Sequence, residues 1–370
     1  MNLLESTYKG KKVLLTGHTG FKGSWLSLWL NNLGANVAGV SVDVPTKPSN
    51  FEASNVQNII RDIRLDVCDL LKLKEIISEE EPDFIFHLAA QPIVSSSYSE
   101  PIKTMITNSI GSANILESLR DFPKKTVAIM ITSDKAYDNV EWEWGYRETD
   151  RLGGKDPYSA SKAMAELAIS TYFNSYFSSN DNKVKIGIAR AGNVIGGGDW
   201  AKDRIIADCV RAWSEDKIVE IRNPHATRPW QHVLEPLSGY LTLGHFLSES
   251  SSLHGEAYNF GPSSHYNHSV RELIEMMKNF WKGIEWNDVS NNIEEFHEAG
   301  LLKLNCDKAL SHLRWLPVLN FEETIKMTVD WYRIFYSEKR LNMFEYTNNQ
   351  IEEYMKIASK KGIYWANEKN

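Results

Sequence analysis

Two short stretches carry the residue types that proton-transfer chemistry needs. "MITSDKAYD" sets Ser133, Asp134 and Lys135 in a row directly after the apolar run "VAIM". Charges at the end of a buried strand are costly unless they have partners or work. A carboxyl beside an amine is there either as a solvated turn or as an acid–base pair, and strand ends in α/β proteins host both. The second stretch, "YSASK", places Tyr158 and Lys162 four residues apart where a helical pattern begins, hence on one helix face. A phenol is a poor base at its ordinary pKa of about 10, and a neighbouring ammonium favours the phenolate. Such a tyrosine can take a proton from a hydroxyl group.

A nucleotide site is legible further upstream. "TGHTGFKG" supplies Gly17, Gly20 and Gly23 directly after a strand pattern and at the opening of a helix. Glycines there permit a tight turn and let the backbone approach a pyrophosphate, whose charge meets the helix amides. About twenty residues on, the next strand pattern ends at Asp43, a carboxylate placed to bond both ribose hydroxyls, which favours NAD over NADP. Asp66 and Val67 are placed to border an adenine. "HLAAQ" ends another strand in Leu88, Ala89 and Ala90, small or apolar residues beside which a cofactor can lie, while His87 reads as a satisfied interior histidine. A cationic nicotinamide held there would add to the pull of Lys162 on the Tyr158 phenol.

The elements that must hold these residues follow an α/β rhythm. Lys11 to Gly17, Asn36 to Asp43, Asp83 to Ala90, Thr126 to Ser133 and Lys183 to Arg190 read as strands. Gly23 to Gly34, Thr104 to Leu119 and Tyr158 to Tyr176 read as helices between them, the pattern of a doubly wound parallel sheet covered on both faces. The rhythm loosens after Arg190. Residues 1–190 are therefore expected to form a dinucleotide-binding domain, with a return to its sheet near 233–262 through "GEAYNFG". Residues 191–232 and 263–345 are expected to form a smaller α/β substrate domain, and 346–370 a helical tail.

Composition narrows the class. With 42% hydrophobic and 24% charged residues the 370-residue chain has an ordinary globular balance. Its net charge of −7, with basic residues scattered, gives no nucleic-acid footprint. No apolar run reaches membrane-spanning length, and the start lacks a signal-peptide core, so a cytoplasmic protein is expected. Cys68, Cys209 and Cys306 lie far apart, without disulfide or metal spacing. Trp25, Trp29, Trp142, Trp144, Trp213, Trp230 and Trp331 are assigned to packing by default.

Taken together, the glycine fingerprint, Ser133 at a strand end and Tyr158-x-x-x-Lys162 resemble the extended short-chain dehydrogenase/reductase family over roughly residues 8 to 335. The resemblance implies a Rossmann-type NAD domain and a smaller C-terminal domain for a nucleotide sugar. It also implies a homo-oligomer, dimer or tetramer, paired through helices. It gives Ser133, Tyr158 and Lys162 catalytic positions and sets Phe21, Lys22 and Asn108 along the cofactor.

Within that family the nucleotide-sugar 4,6-dehydratases carry Asp-Glu where this chain has Asp134-Lys135. "GHTGFKGSWL", "PTKPSNFE", "RAGNVIGGGDW" and "RPWQHVLEPLSGYL" are similar to the branch acting on CDP-glucose. The implied chemistry oxidises carbon 4, removes the carbon 5 proton, expels the carbon 6 hydroxyl and returns the hydride to carbon 6. Tyr158 is then the first base, Asp134 the acid and Lys135 the base at carbon 5, or else Lys135 is a charged partner and the base lies elsewhere. For the substrate, Gln91, Asn193, Arg204, Arg211, Arg228 and His232 are the candidates. Arg204 and Arg211 are expected seven residues apart on one helix face, and His232 just before a helix pointing into the cleft. A 4-epimerase or a GDP-mannose-type dehydratase shares every cofactor motif, and a non-catalytic NAD-binding scaffold remains the reading from another class.

Overall fold

The computed structural model describes residues 1–179, 181–263, 267–290, 301–337 and 342–367. Parts of the expected substrate region, 264–266, 291–300 and 338–341, lie outside them, as does 368–370 of the expected tail. Seven strands form one parallel sheet: β1 (Lys12–Thr16), β2 (Asn36–Ser41), β3 (Arg61–Arg64), β4 (Phe84–His87), β5 (Thr126–Ile131), β6 (Val184–Ala191) and β7 (Ala257–Phe260), in the order 7-6-5-4-1-2-3. Strand order reverses beside β1, where Leu14 faces Ala38 on one side and Ile85 on the other. Ligands of such sheets bind at the carboxyl ends next to that reversal.

Because side chains alternate along a strand, the apolar runs split between two cores. Leu14, Ile85, Ala128, Met130 and Ile186 meet Leu73, Ile77, Ile115, Leu116 and Ile169 on one face. Leu15, Phe84, Phe86, Val127 and Ile129 meet Trp25, Trp29, Leu237, Leu241 and Tyr354 on the other.

β3 has no counterpart in the sequence reading. Its residues, "RDIR", are mostly exposed at the sheet edge, so burial imposes no apolar pattern on them. The two long helices are also not continuous: Ile106–Ile110 and Phe173–Phe177 are π-helical turns. β7 pairs in parallel with β6, Tyr258 opposite Ala189. After β6 the described residues build three two-stranded pieces, joining Val194–Ile195 to Gln231–His232, Thr227–Arg228 to His268–Ser269, and Val219–Ile221 to Trp286–Asp288. The helix Met343–Lys360 lies on the helix Phe21–Asn32, with Trp29 edge-on to Tyr354 at 5.7 Å and to Trp365 at 5.9 Å, these two rings being stacked on each other. Trp25, Trp29, Trp213, Trp230 and Trp331 are buried, whereas Trp142 and Trp144 are exposed on the loop after the 134–136 turn and do not serve the core.

Candidate active site

The turn after β1 is shaped for close approach of a ligand backbone. Gly17 has φ +78°, and a Cβ on it would stand 2.7 Å from the Ala89 amide nitrogen. A Cβ on Gly23 would stand 2.1 Å from the Gly17 carbonyl oxygen. The helix Phe21–Asn32 starts at Gly20, where no side chain among the described residues caps its amides. Those amides and the helix dipole remain directed at the crevice, the arrangement a pyrophosphate needs. Thr19 Oγ1 donates to the Asp43 carbonyl at 2.6 Å, tying this turn to the end of β2 and leaving the Asp43 carboxylate exposed at the mouth. Asn114 Nδ2 holds the Val67 carbonyl at 3.0 Å, and Gly111 gives Val67 room. The glycine turn from Gly17 to Gly23, the uncapped helix start and the exposed Asp43 carboxylate fit NAD, whereas Lys22 is buried with its ammonium 3.5 Å from the Tyr240 hydroxyl and close to Asp134.

Two polar residues near this crevice are spent on the protein itself. His87 is bonded on both ring nitrogens, to Thr16 at 2.8 Å and Ser112 at 3.0 Å, and burial pushes it down to about 3. Asn108 accepts from the Gln91 amide at 2.8 Å and donates to Ser161 at 2.8 Å, locking the loop after β4 to the Tyr158 helix.

That helix, Pro157–Tyr172, begins with proline at its first position, and Asp156 caps it by accepting from the Ser159 amide at 2.9 Å. Its first turn brings Tyr158 to the end of β5. Ser133, Asp134, Tyr158 and Lys162 are all buried there. Ser133 Oγ donates to Asp134 Oδ1 at 3.0 Å, receives the Lys135 amide at 3.2 Å, and lies beside Tyr158 closely enough to act on its phenol. Asp134 lies over the backbone of Gly192, where a Cβ would come within 3.0 Å of its Oδ2.

Burial raises the Asp134 carboxyl above its ordinary value, with Lys135, Ser133 and Lys22 acting in the opposite direction. Burial also pushes Lys162 down to about 8 against the pull of Glu166, and Lys22 down to about 8 against the pull of Asp134. The Tyr158 phenol is likewise raised by burial, opposed by Ser133 and Arg204. Among the protein's own groups, removal of water from around the phenol outweighs the charges near it, while the expected phenolate also draws on a bound cationic nicotinamide. Lys135 itself is partly buried on the same turn.

Sequence reasoning missed the groups that hold this cluster together. Glu166, one turn beyond Lys162, pairs with Arg190 through two hydrogen bonds of 2.8 and 3.0 Å and also accepts from the Thr132 hydroxyl. Arg190 Nη1 donates to the Tyr137 hydroxyl at 2.7 Å and to the Glu148 carbonyl at 3.0 Å. The available signal was of the same kind as "SDK": Arg190 is a charge at the end of an apolar strand, and Glu166 lies four residues from Lys162 on its face.

The six substrate candidates are not one group. Arg204 lies close enough to Tyr158, Lys22 and Asp199 to act on their charges. The helix begins only at Ile205, so Arg204 is extended and does not share a helix face with Arg211. Arg211 instead pairs with Asp208 and donates to the Trp200 carbonyl at 2.9 Å. Gln91 spends its side chain inside the protein, on Thr104 at 2.8 Å and the Ile93 amide at 2.5 Å. His232 is fully buried with its ring edge-on to Trp25, 5.8 Å between centres, and burial pushes it down to about 3. The helix after it is buried as well, so neither presents a phosphate site. Asn193 and Arg228 are partly buried near a small cleft lined by Gly192, Pro229, Gly261, Pro262, Lys303 and Leu304. Among the described residues no cluster of His, Cys, Asp and Glu could hold a metal ion.

Residues 14–328 match the model of the GDP-mannose 4,6 dehydratase family. Over 356 residues, 95% of this chain and 98% of the relative, the chain is 43% identical to the CDP-glucose 4,6-dehydratase of Salmonella typhimurium. The dTDP-glucose 4,6-dehydratase of Haemophilus influenzae is 25% identical over 86% of this chain and 97% of its own length. Among solved structures, a UDP-glucuronic acid 4-epimerase from Bacillus cereus, in complex with UDP-glucuronic acid and NAD, superposes with a TM-score of 0.73 at 21% identity. That match covers 88% of this chain and 99% of the epimerase, and it shows the shared fold.

Proposed function

The chain belongs to the GDP-mannose 4,6-dehydratase family, and from that premise we propose that it is an NAD-dependent CDP-glucose 4,6-dehydratase, a hydro-lyase forming CDP-4-keto-6-deoxyglucose and water. The observation that carries this reading is the packing of the Pro157–Tyr172 helix against the 134–136 turn, which buries Asp134 in one site with Ser133, Tyr158 and Lys162. A 4-epimerase needs the tyrosine and lysine but has no use for an acid and a base immediately after the serine.

Bound NAD supplies the acceptor for the carbon 4 hydride and its donor to carbon 6. Tyr158 takes the carbon 4 hydroxyl proton, with the Ser133 hydroxyl beside it and Lys162 one helical turn away on the same face. Asp134, whose carboxyl burial raises above its ordinary value, gives its proton to the departing carbon 6 hydroxyl. Lys135 removes the proton from carbon 5, which the neighbouring ketone has acidified. Arg204 and Arg228 face the diphosphate, whose oxygens suit a planar guanidinium.

The test is incubation with CDP-, dTDP-, UDP- and GDP-glucose, with mass spectrometry for loss of water. Selective dehydration of CDP-glucose is expected. Epimerisation without water loss, or preference for another base, would overturn the reading. Lys135→Met and Asp134→Asn should both still oxidise carbon 4. Lys135→Met should lose exchange of the carbon 5 hydrogen with deuterated water, and Asp134→Asn should lose water slowly.

A homo-oligomer accompanies this reading. Ile102, Ile106 and Ile110 are exposed at four-residue spacing beside exposed Met164 and Leu167, an apolar stripe across two adjacent helices that a second copy can cover. Light scattering of Ile106→Lys should report a smaller species than the parent. Three unpaired cysteines, Cys68, Cys209 and Cys306, support a cytoplasmic enzyme, and no helix among the described residues is long and apolar enough to cross a membrane.

A further inference from the structure

We propose that Tyr137 is a positioning residue for the elimination half of the reaction: its hydroxyl anchors the turn that aims Asp134 and Lys135. The inference rests on the dehydratase reading and names a residue to which that reading gives no part. Asp134–Ala136 is a single 3-10 turn, closed by the Tyr137 amide donating to the Asp134 carbonyl at 3.2 Å. The Ala136 amide also donates to the Ser133 carbonyl at 3.2 Å, and the Gly153 amide holds the Ala136 carbonyl at 2.9 Å, so the backbone path is set, while the direction of two side chains needed for proton transfer at adjacent carbons calls for finer support.

The ends of the turn are fixed from outside. Upstream, Thr132 donates to Glu166 of the Tyr158 helix. Downstream, the Tyr137 hydroxyl donates to Asn259 Oδ1 at 2.8 Å and accepts from Arg190 Nη1 at 2.7 Å. Asn259 is itself held, donating to the carbonyls of Tyr146 at 2.9 Å and Asn305 at 3.1 Å. Arg190 is held by Glu166, so both ends of the turn refer to the same helix that carries Tyr158 and Lys162. The Tyr137 ring is buried, stacked on Tyr146 at 5.1 Å, with the Arg190 guanidinium 4.9 Å from its centre. Packing alone would be served by the ring. The backbone is also bridged to Leu152, with the Asp138 amide donating to the Arg151 carbonyl at 2.9 Å, and the hydroxyl adds the tie that links this segment to Arg190 and Asn259.

Tyr137→Phe keeps the ring, its stacking and the guanidinium contact, and removes one oxygen. Carbon 4 oxidation, read as reduced-cofactor absorbance in a single turnover with CDP-glucose, should stay within about two-fold of the parent. Carbon 5 exchange in deuterated water and loss of water should each fall ~10- to ~100-fold, the scale of a misplaced catalytic group. A 4-keto sugar that retains its carbon 6 oxygen should accumulate in the mass spectrum. Asn259→Ala, which removes the other anchor, should show the same division between steps. All steps near the parent rate, or all falling together with the melting temperature, would overturn the inference and leave Tyr137 a packing residue. A parent protein that oxidises CDP-glucose but eliminates no water would overturn the dehydratase reading as well, whereas a parental profile in Tyr137→Phe overturns this inference alone.

Discussion

Removal of either partner from the Glu166–Arg190 pair should cost far more stability than removal of both. The two side chains are 2% and 4% exposed, and the carboxylate receives two guanidinium bonds. Glu166→Leu leaves a guanidinium buried with only the Tyr137 hydroxyl and one carbonyl, and Arg190→Met leaves a carboxylate buried beside Thr132. Stranding one charge of a buried pair costs about 3–5 kcal/mol, because neither water nor a counter-charge compensates it. For 370 residues the unfolding entropy is on the order of 0.8 kcal/mol/K, so each single variant should melt about 4–6 °C lower. The double variant Glu166→Leu/Arg190→Met strands no charge and fills the space with apolar groups, so it should return to within about 1–2 kcal/mol of the parent. Urea and thermal unfolding followed by circular dichroism would measure the cycle. Additive losses, with the double variant about 6–10 kcal/mol less stable, would refute the reasoning, since the pair would then act as two independent packing groups. Dehydratase activity should stay low in the double variant, because apolar side chains cannot hold Thr132 and Tyr137 in place.

Other consequences can be checked separately. Tyr158→Phe should slow carbon 4 oxidation ~10²- to ~10⁴-fold while calorimetric binding of the nucleotide sugar stays near the parent value, and a loss of only a few-fold would assign that proton to another group. Gly23→Ala places a methyl 2.1 Å from the Gly17 carbonyl oxygen. The glycine turn must then shift, and NAD affinity measured by calorimetry should fall at least ~10-fold, while an unchanged affinity would mean that the turn does not hold the cofactor. His87 and His232 stay neutral in the fold, with values near 3, but take a proton in the unfolded chain near 6.5. Their contribution is therefore fully present above about pH 6.5 and is lost as pH falls toward 3. The urea midpoint should drop between pH 7 and 4, and less so in His87→Gln. A flat profile would contradict neutral interior histidines.

The parts of this protein legible in its sequence are those in which chemistry depends on residues close together in the chain. Gly17, Gly20 and Gly23 form one turn, Ser133 to Lys135 one strand end, and Tyr158 and Lys162 one helical face, so local spacing already placed each group. The apolar runs of β1, β2, β4, β5 and β6 were legible for a related reason, since burial on both faces leaves little room for polar residues. β3 escaped because an edge strand carries no such constraint, and Trp142 and Trp144 misled because aromatic residues are not obliged to be inside. The helix Met343–Lys360 was legible as a helical tail but not as part of the core, since its buried side becomes meaningful only when Trp29 stands against it.

Long-range partners decided the rest. Nothing local to Gln91 or His232 announces that Thr104 and the Ile93 amide satisfy the one, or that Trp25 covers the other. Arg190, Glu166, Tyr137 and Asn259 come from four distant segments, and each alone is an ordinary polar residue. Their meeting is a property of strand order: β6 lies between β5 and β7, so the end of β6 faces both the 134–136 turn and Asn259. Sequence determines which groups can exchange protons, but the distances and the dry surroundings that make them do so arise only when the sheet brings its strand ends together.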